Sequence, residues 1–427
     1  MLSQTGPLGR CFLDGFHIQT SDTMTRKLIV LLPLLLLAGC EKSPLGSGPL
    51  DKLPRPLTAS EEGVITASNH FAFDLLREVN RSEAGANVFV SPLSASMALG
   101  MTMNGARGTT LDAMRGTLGF SQMPLGNINA SYKSLIALLL GLDRNVDMRI
   151  ANSIWYRNDY PFEQAFFDTT RSYFNAEVAG LDFSDPNAPK TINAWVDRST
   201  NGKIKDIVDK LSPNEVMYLI NAIYFKGSWT RQFDRARTRD DWFTAADGSR
   251  QPVKMMNQEG AHRYFQTAEM EAVELPYGNG AFVMNVMLPA PGKDVDALIA
   301  SLDTKQWQEW TNRFAEQQML LQMPRFRIEY EKSFNQALQA LGMGIAFGGG
   351  HDFTGMSHRN PWIDEVFQKT YVDVNEEGTE AAAVTKVVMA ESAPPTMRVD
   401  RPFIFAIRER FSGTLIFIGK IAAPPAG

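Results

Sequence analysis

The sequence predicts one large α+β domain, and three observations lead to this prediction. Strand-like apolar runs and amphipathic helical patterns alternate irregularly, without the regular strand–helix–strand period of a parallel α/β sheet. No polar linker and no internal repeat interrupts the chain between residues 60 and 427. The composition, with 44% hydrophobic and 21% charged residues, is that of a globular protein. We therefore predict a single domain, although 427 residues would ordinarily suggest two or three.

The predicted elements begin at Ser60, which we expect to cap a helix. Val64, Phe71, Leu75 and Val79 recur at helical spacing behind it. Later segments are strand-like where β-branched and aromatic residues cluster, and helical where the apolar period lengthens. The strand-like runs are residues 87–92, 216–225, 281–288, 319–327 and 414–420, and the further helical patterns are residues 94–103, 192–200, 294–300 and 333–341.

The N-terminal 39 residues predict a signal segment for export. Two basic residues precede ten apolar residues at 28–37, and small residues follow. The apolar run is shorter than the roughly 20 residues that a membrane-spanning helix needs; a buried apolar helix is the alternative interpretation. Met24 is the natural start of such a signal, and we interpret residues 1–23 as an over-long start of the gene model.

The signal ends in Leu-Ala-Gly-Cys, which resembles the bacterial lipoprotein box. This resemblance implies that Cys40 is lipidated and becomes the mature N-terminus. Residues 40–59 contain prolines and glycines and predict a lipid-anchored flexible tether. Glu41, in place of Asp, resembles lipoproteins sorted to the outer membrane. We thus expect an exported protein, anchored to a bacterial membrane and facing the periplasm or the extracellular space.

Charge and cysteine content exclude several classes of function. The net charge of −5 offers no basic field for nucleic acid. The two cysteines, Cys11 and Cys40, both precede the predicted body, which therefore has no disulfide, thiol nucleophile or cysteine metal site. No phosphate-binding loop, zinc-protease helix or serine-hydrolase elbow occurs, and no cofactor is expected.

Two acidic or histidine-containing clusters are candidate sites for chemistry. His351, Asp352 and His358 could bind a metal, but they lie in a glycine-rich loop, so solvated loop residues are the preferred interpretation. Glu376 and Glu377 could be a general acid and base, but adjacent carboxylates on an extended chain point to opposite faces. The sequence therefore favours binding or inhibition over catalysis.

The most informative segment runs from residue 374 to residue 396. An alanine run usually indicates a helix, but a strand places all its charges on one face. The two faces then hold Thr379, Ala381, Ala383, Thr385 and Val387 on one side, and Glu380, Ala382, Val384, Lys386 and Val388 on the other. Residues 389–396 lack periodicity and include two prolines, which indicates an exposed, cleavable loop.

Together with this segment, a series of separated motifs between residues 60 and 423 resembles the serpin family. The motifs are residues 87–94, 105–109, 192–204, 221–229, 275–277, 323–326, 352–357 and 401–405, which include Asn-Ala-Ile-Tyr-Phe-Lys-Gly-Ser-Trp at 221–229 and Met-Pro-Arg-Phe at 323–326. The resemblance implies one domain over residues 60–427, with three β-sheets, eight to nine helices and an exposed reactive-centre loop.

The resemblance also implies the activity. Serpins are not enzymes but suicide inhibitors of serine proteases and sometimes of cysteine proteases, and we expect a monomer whose partner is such a protease. The loop inserts as a strand into the central sheet after cleavage, while the protease is still covalently attached. A non-inhibitory serpin that binds ligands or acts as a chaperone is the alternative. The implied hinge is Glu376, Glu377, Gly378, Thr379, Glu380, Ala381, Ala382, Ala383 and Val384, whose small residues favour an active inhibitor.

The predicted reactive bond joins Glu391 to Ser392. Counting back from Pro402 favours Glu391 as the recognised residue, whereas counting forward from the hinge gives Ser392. Cleavage after Met389 or Ala390 stays open for elastase-like or subtilisin-like enzymes, beside a Glu-specific target. No Arg or Lys lies in this window, which argues against trypsin-like and thrombin-like targets.

The resemblance assigns sheet opening to five further residues, which are Ser91, Ser94, Asn221, Gln368 and Trp229. In the family, a histidine commonly stands at the position of Gln368 and bonds to the asparagine matched by Asn221. Glutamine has both an amide donor and an acceptor, so we expect Gln368 to substitute for that histidine. No basic helix of the heparin-binding kind is present, so activation by glycosaminoglycans is not expected.

Overall fold

In the computed structural model, the described residues are 48–378 and 395–425. The predicted signal segment, Cys40, the hinge residues from Thr379 to Val384 and the Glu391–Ser392 bond lie outside these ranges. The described residues all belong to one compact unit.

The described residues form nine α-helices, as the resemblance implied. They are α1 (Ala59–Ser82), α2 (Pro92–Met103), α3 (Gly108–Thr117), α4 (Leu125–Gly141), α5 (Gln164–Phe174), α6 (Ala188–Ser199), α7 (Val295–Ser301), α8 (Thr304–Arg313) and α9 (Asn335–Leu338). The cap of α1 is Thr58 and not Ser60, because Thr58 and Glu61 bond to each other's backbone N–H groups in a capping box.

The same residues form fourteen strands. They are β1 (Val88–Val90), β2 (Val146–Arg157), β3 (Glu177–Leu181), β4 (Met217–Gly227), β5 (Arg239–Thr244), β6 (Arg250–Gln266), β7 (Met270–Tyr277), β8 (Phe282–Pro289), β9 (Ala315–Pro324), β10 (Phe326–Ser333), β11 (Phe367–Val374), β12 (Thr396–Arg398), β13 (Phe403–Glu409) and β14 (Leu415–Ile421). The strand predicted at 319–327 is in fact parts of two strands, since the chain leaves β9 at Pro324 and enters β10 two residues later.

Hydrogen bonding divides the described strands into three sheets, which confirms the predicted number. The largest has the order β1-β14-β13-β8-β7-β6-β9-β12, with β5 paired to β6. Its strands β8, β13 and β14 are buried along their whole length and form the centre of the core. The second sheet is β3-β2-β4, and the third is the antiparallel pair β10-β11.

Part of the predicted flexible tether is packed on the body. The side chains of Leu50, Leu53 and Leu57 lie against the hydrophobic core, and the N–H of Leu50 donates to the carbonyl oxygen of Asn279 at 2.8 Å. The docked chain therefore begins about ten residues before the predicted boundary. Apolar side chains spaced three or four residues apart caused this difference, since they bury surface even without a helix.

An ion pair adds to this docking. Arg55 contacts the buried carboxylate of Glu61, with Nη1 2.9 Å from Oε2, and also donates to Ser134 Oγ at 2.7 Å. The bond from Arg55 outweighs the effect of burial and lowers the pKa of Glu61 to about 2. Within the described ranges, no helix is long and apolar enough to cross a membrane.

Candidate functional site

The second and third sheets meet edge to edge without a ladder between them. β4 pairs with β2 and β11 pairs with β10, and among the described residues neither strand has a ladder on its other side. The two strands nevertheless run close together, with Cα atoms of one within 8 Å of the other. In a continuous sheet, the backbone N–H and C=O groups of neighbouring strands bond to each other. Because the described residues of β4 and β11 form no such ladder with each other, a further strand could be accommodated at this seam.

Two adjoining cavities follow the seam. A narrow one of about 30 Å³ lies between Leu219 and Asn221 of β4 and Phe367 and Gln368 of β11. A larger one of about 380 Å³ shares Leu219 with it and extends along residues 361–365. The seam is therefore loosely packed over the half of β4 that begins at Met217.

At mid-sheet, the first turn of α2 bridges the two sides of the seam. Gln368 on β11 bonds twice to the backbone of Ser91, accepting from its N–H at 2.8 Å and donating to its carbonyl oxygen at 2.9 Å. One turn later, Ser94 Oγ donates to Asn221 Oδ1 on β4. All of these groups are neutral, and Ser91 and Ser94 are completely buried. The bridge therefore depends on hydrogen bonds alone.

The predicted partner of Gln368 was wrong. Its amide bonds to Ser91 and not to Asn221, whose own amide nitrogen instead donates to Asn152 Oδ1 on β2. Asn152 Nδ2 in turn donates to the carbonyl oxygen of Phe174 at 2.7 Å. Sequence reasoning missed Asn152, and its position opposite Asn221 in the β2–β4 register is the signal that could have found it.

Trp229 does not belong to this mid-sheet bridge but lies beyond the end of β4. The indole stacks on Tyr277 with ring centroids 4.3 Å apart, and its Nε1–H donates to the carbonyl oxygen of Asn375 at 2.9 Å. Its backbone N–H donates to the carbonyl oxygen of Glu377 at 3.0 Å. Asn221 and Trp229 are eight residues apart, or roughly 26 Å along an extended chain. Trp229 thus contacts the start of the hinge.

The described start of the hinge is a tight turn and not an extended chain. The backbones of Asn375 and Gly378 bond to each other in both directions, at 3.1 and 3.2 Å. Gly378 has φ of +114°, and a Cβ there would fall against backbone atoms of Gly227 and Trp229. Only glycine fits this position without strain.

The turn gives the two adjacent carboxylates separate arginine partners. Arg325 Nε lies 2.7 Å from both oxygens of Glu376, and Glu377 contacts Arg235. Glu376 is 1% exposed; burial alone would raise its pKa, but bonds from Arg325 and Thr238 outweigh this and hold the pKa below its ordinary value. Both carboxylates are charged ion-pair partners, which does not suit a general acid and base.

We call residues 375–378 with their partners the hinge clamp. Besides the contacts above, the N–H of Phe233 donates to the carbonyl oxygen of Glu376 at 2.9 Å. Sequence reasoning missed Arg325 and Arg235, although Arg325 lies inside one of the quoted motifs. The clamp ends directly at Gly378, after which the predicted loop begins.

The far end of the loop is attached to the largest sheet. The carbonyl oxygen of Pro395 accepts from the N–H of Leu320 at 2.8 Å, and β12 then runs parallel to β9. Residues 379–394 connect this attachment to the hinge clamp. The predicted reactive bond falls within that segment, outside the described residues.

The considered catalytic and metal clusters have ordinary structural partners. Both ring nitrogens of His351 lie near carbonyl oxygens, those of Gly348 and Asn360, at 2.6 and 3.1 Å. Asp352 Oδ1 accepts from the N–H and the hydroxyl of Thr354. Over residues 48–378 and 395–425, no group of three or more His, Cys, Asp and Glu side chains is arranged to hold a metal ion.

Comparisons with known proteins agree with this architecture. A family model described as Serpin (serine protease inhibitor) matches residues 66–424. The leukocyte elastase inhibitor of Sus scrofa is 34% identical over 379 residues, covering 85% of this chain and 100% of that protein. An uncharacterized serpin-like protein of Thermococcus kodakarensis is 33% identical over 380 residues, covering 86% and 87% of the two chains.

Solved structures are similar over nearly the same length. The native state of tengpin, a thermophilic serpin, superposes with a TM-score of 0.79 at 30% identity, covering 89% of this chain and 97% of tengpin. Human thyroxine-binding globulin also superposes with a TM-score of 0.79, at 27% identity, covering 86% of this chain and 100% of that protein.

Proposed function

This chain belongs to the serpin family, and on that premise we propose that it inhibits a serine protease as a suicide substrate. The family supports protease inhibition in general terms. The proposal adds covalent trapping and a target of elastase-like, subtilisin-like or Glu-specific type. The observation that carries it is the seam between β4 and β11, which is unladdered in the described residues and next to the start of the hinge.

The chemistry would take place at the loop. The protease serine attacks the carbonyl carbon of Glu391, an ester to Glu391 forms, and the Glu391–Ser392 amide breaks. The new amino group of Ser392 leaves with the proton that the protease's histidine delivers. The loop is then cut at one end but still joined to the hinge clamp at Gly378.

Insertion of the cut loop would displace the attached protease. Gly378 and Glu391 are 13 residues apart, so an extended segment moves the acyl bond by roughly 40–45 Å. Each new hydrogen bond contributes about 0.5–1.5 kcal/mol, whereas ordering costs about 1–2 kcal/mol per residue. Hydrogen bonds alone therefore do not drive insertion, and burial of side chains in the seam must supply the rest.

The small face of the hinge is what suits it to this burial. Thr379, Ala381 and Ala383 share one face of a strand and carry no charge. The cavities that follow the seam have room for side chains of this size. A charge on this face would have to be buried without a partner, which slows insertion and gives water time to release the protease.

The first experiment incubates the full chain with an elastase, a subtilisin and a Glu-specific protease, followed by denaturing gels. We expect a covalent band of summed mass, with mass spectrometry locating the ester at Glu391. The variant Ala383→Arg should be cleaved without forming the complex. Its matched control, Ala382→Arg, places the same charge on the opposite face and should still form it.

Each other outcome has a definite meaning. A complex attached at a neighbouring residue keeps the mechanism and moves the reactive bond. Clean cleavage by every enzyme without any complex contradicts inhibition and favours the non-inhibitory interpretation. Equal behaviour of the two arginine variants contradicts the assignment of faces.

We also propose that the protein is exported and anchored through a lipid on Cys40, which would place the inhibitor at a bacterial surface or in the periplasm. The support comes from the lipoprotein-like sequence that ends at Cys40. Labelling of a bacterial expression host with a radioactive fatty acid should mark the wild type. Cys40→Ser should abolish the label, whereas Cys11→Ser should not change it. A label that persists in Cys40→Ser contradicts the anchor.

A further inference from the structure

A cavity of about 200 Å³ lies beside the hinge clamp, with Trp229 in its lining. Its walls come from the segment after β4 and from the strands β6, β7 and β9. Five charged or titratable side chains reach it, which are Arg231, His262, Arg263, Glu274 and Glu316. None of them takes part in the proposed inhibition.

Arg231 has only neutral partners. Its Nη2 donates to Gln258 Oε1 at 3.0 Å and approaches His262 Nε2 at 2.8 Å. Within the described ranges, no carboxylate lies within 4.0 Å of its guanidinium. A guanidinium has five N–H donors, and these two contacts use only those of Nη2. The donors on Nη1 and Nε make no hydrogen bond to the residues that the structure describes.

His262 does not balance or add to this charge at neutral pH. Its ring is 5% exposed, and burial, followed by the positive charge of Arg231, lowers its pKa to about 4. The neutral ring accepts from Arg231 and holds the guanidinium in place. Gln258 also holds the guanidinium, since its Oε1 accepts from Nη2, and its Nε2 donates to the backbone carbonyl oxygen of Arg231 at 2.7 Å.

The carboxylates of the cavity do not compensate Arg231. Glu274 is 2% exposed and is already surrounded by three other arginines, with contacts of 2.7 Å to Arg263, 2.6 Å to Arg408 and 3.6 Å to Arg410. Glu316 stands opposite Arg263 in the β6–β9 register and is exposed to solvent, where its charge is screened. The two arginines and two glutamates that line the cavity balance formally, but Arg231 itself contacts neither glutamate.

We propose that this cavity is a binding site for a small oxyanion, a carboxylate or a phosphate, held by the guanidinium of Arg231. A planar guanidinium matches both groups with two parallel hydrogen bonds. A volume of about 200 Å³ is enough for one such group with a few further atoms. Gly260 leaves space for Nη1, because a Cβ at this position would collide with it.

The site has a direct connection to the hinge clamp. Arg231 lies between Trp229 and Phe233, whose backbone N–H groups donate to the carbonyl oxygens of Glu377 and Glu376. An oxyanion bound to Arg231 would order this short segment in the conformation that makes both bonds. Binding should therefore slow hydrogen exchange at the amides of Trp229 and Phe233.

The test is calorimetric titration of the full chain with inorganic phosphate and, separately, with succinate at pH 7. We expect saturable binding of at least one probe and at least a tenfold loss of affinity in Arg231→Met. Arg231→Lys keeps the positive charge but lacks the planar pair of N–H donors, so its loss of affinity should be intermediate. The control is Arg81→Met, which removes an exposed arginine that pairs with Glu78 and should leave the affinity unchanged.

A second measurement on the wild type keeps the test decisive if Arg231→Met does not fold. An anion at Arg231 offsets its charge, so the NMR-measured pKa of His262 should rise in saturating probe, and exchange at Trp229 and Phe233 should slow. Absence of saturable binding to both probes, unchanged affinity in a folded Arg231→Met, or an unchanged His262 titration would each overturn the proposal. No protease is involved, so this result is independent of the proposed inhibition.

Discussion

The hinge clamp and the mid-sheet bridge hold the same seam by different means. In the clamp, a buried carboxylate, Glu376, is paired with Arg325, and Gly378 packs against backbone. In the bridge, Gln368 and Ser91 exchange two neutral hydrogen bonds inside a buried turn. The clamp is exposed to solvent through the charged side chain of Arg325, whereas Ser91, Ser94 and Gln368 of the bridge are buried and neutral.

Because of this difference, the two regions respond differently to pH and salt. A charge pair with one solvent-exposed partner depends on pH and salt. A buried network of neutral groups depends on neither, but each member that loses its partner costs its full desolvation energy. A change of pH or salt can therefore weaken the hinge clamp, whereas the mid-sheet bridge is weakened only when one of its residues is substituted.

The largest expected effect comes from removing the arginine of the clamp. Arg325→Met leaves the carboxylate of Glu376, 1% exposed, without its cation. Breaking a buried pair costs about 3–5 kcal/mol, and we expect about 3 kcal/mol because the Arg325 side chain is 37% exposed. Denaturant unfolding measures the loss. Arg327→Met, two residues away, breaks an exposed pair with Asp373 and should cost less than about 1 kcal/mol; equal losses would contradict the clamp.

The mid-sheet bridge should lose somewhat less when its amide is removed. Gln368→Met is close in size but leaves the buried N–H of Ser91 without a partner, at a cost of about 2 kcal/mol. The C=O of Ser91 loses the bond from Gln368 and keeps the one from the N–H of Ala95. Gln368→His can restore one of the two bonds and should recover part of this loss. Unfolding midpoints at a fixed scan rate compare the three proteins, and a methionine variant as stable as wild type would disprove the bridge.

A smaller loss is expected from a methyl group at the glycine of the clamp. Gly378→Ala meets both an unfavourable φ and nearby backbone atoms, which together cost about 1–2 kcal/mol. Gly349→Ala is the control, because nothing lies within 4 Å of a Cβ there and its φ is not in the restricted range. The two variants should differ in midpoint, and similar midpoints would mean that the turn opens at little cost.

The smallest effect is a dependence on pH that distinguishes clamp from bridge. The pKa of Glu376 is lower in the folded protein than its ordinary value of 4.5, so its stabilisation is present above pH 4.5 and is lost as pH falls through the folded value. The loss amounts to about 1.4 kcal/mol per unit of pKa difference. Unfolding between pH 6 and 3 should be less pH-dependent in Glu376→Gln, whereas Gln368→Met should keep the wild-type slope; a changed slope there would contradict a neutral bridge.

Much of the fold could be predicted from local patterns. The helical period of Val64, Phe71 and Leu75 located α1, and the apolar run at 414–420 located β14. Boundaries were less certain, since Thr58 and not Ser60 caps α1. The packing of Leu50 and Leu53 could not be foreseen, because their burial depends on a surface formed by distant parts of the chain.

The candidate site divides in the same way. The sequence by itself predicts the alternating small face of the hinge, because the side-chain period of a strand is a local property. Only the tertiary structure decided that Gln368 bonds to Ser91, that Arg325 neutralises Glu376 and that Arg231 has no carboxylate partner in the described chain. Hydrogen bonds and ion pairs join residues tens to hundreds of positions apart, and their partners are set by packing to within an ångström.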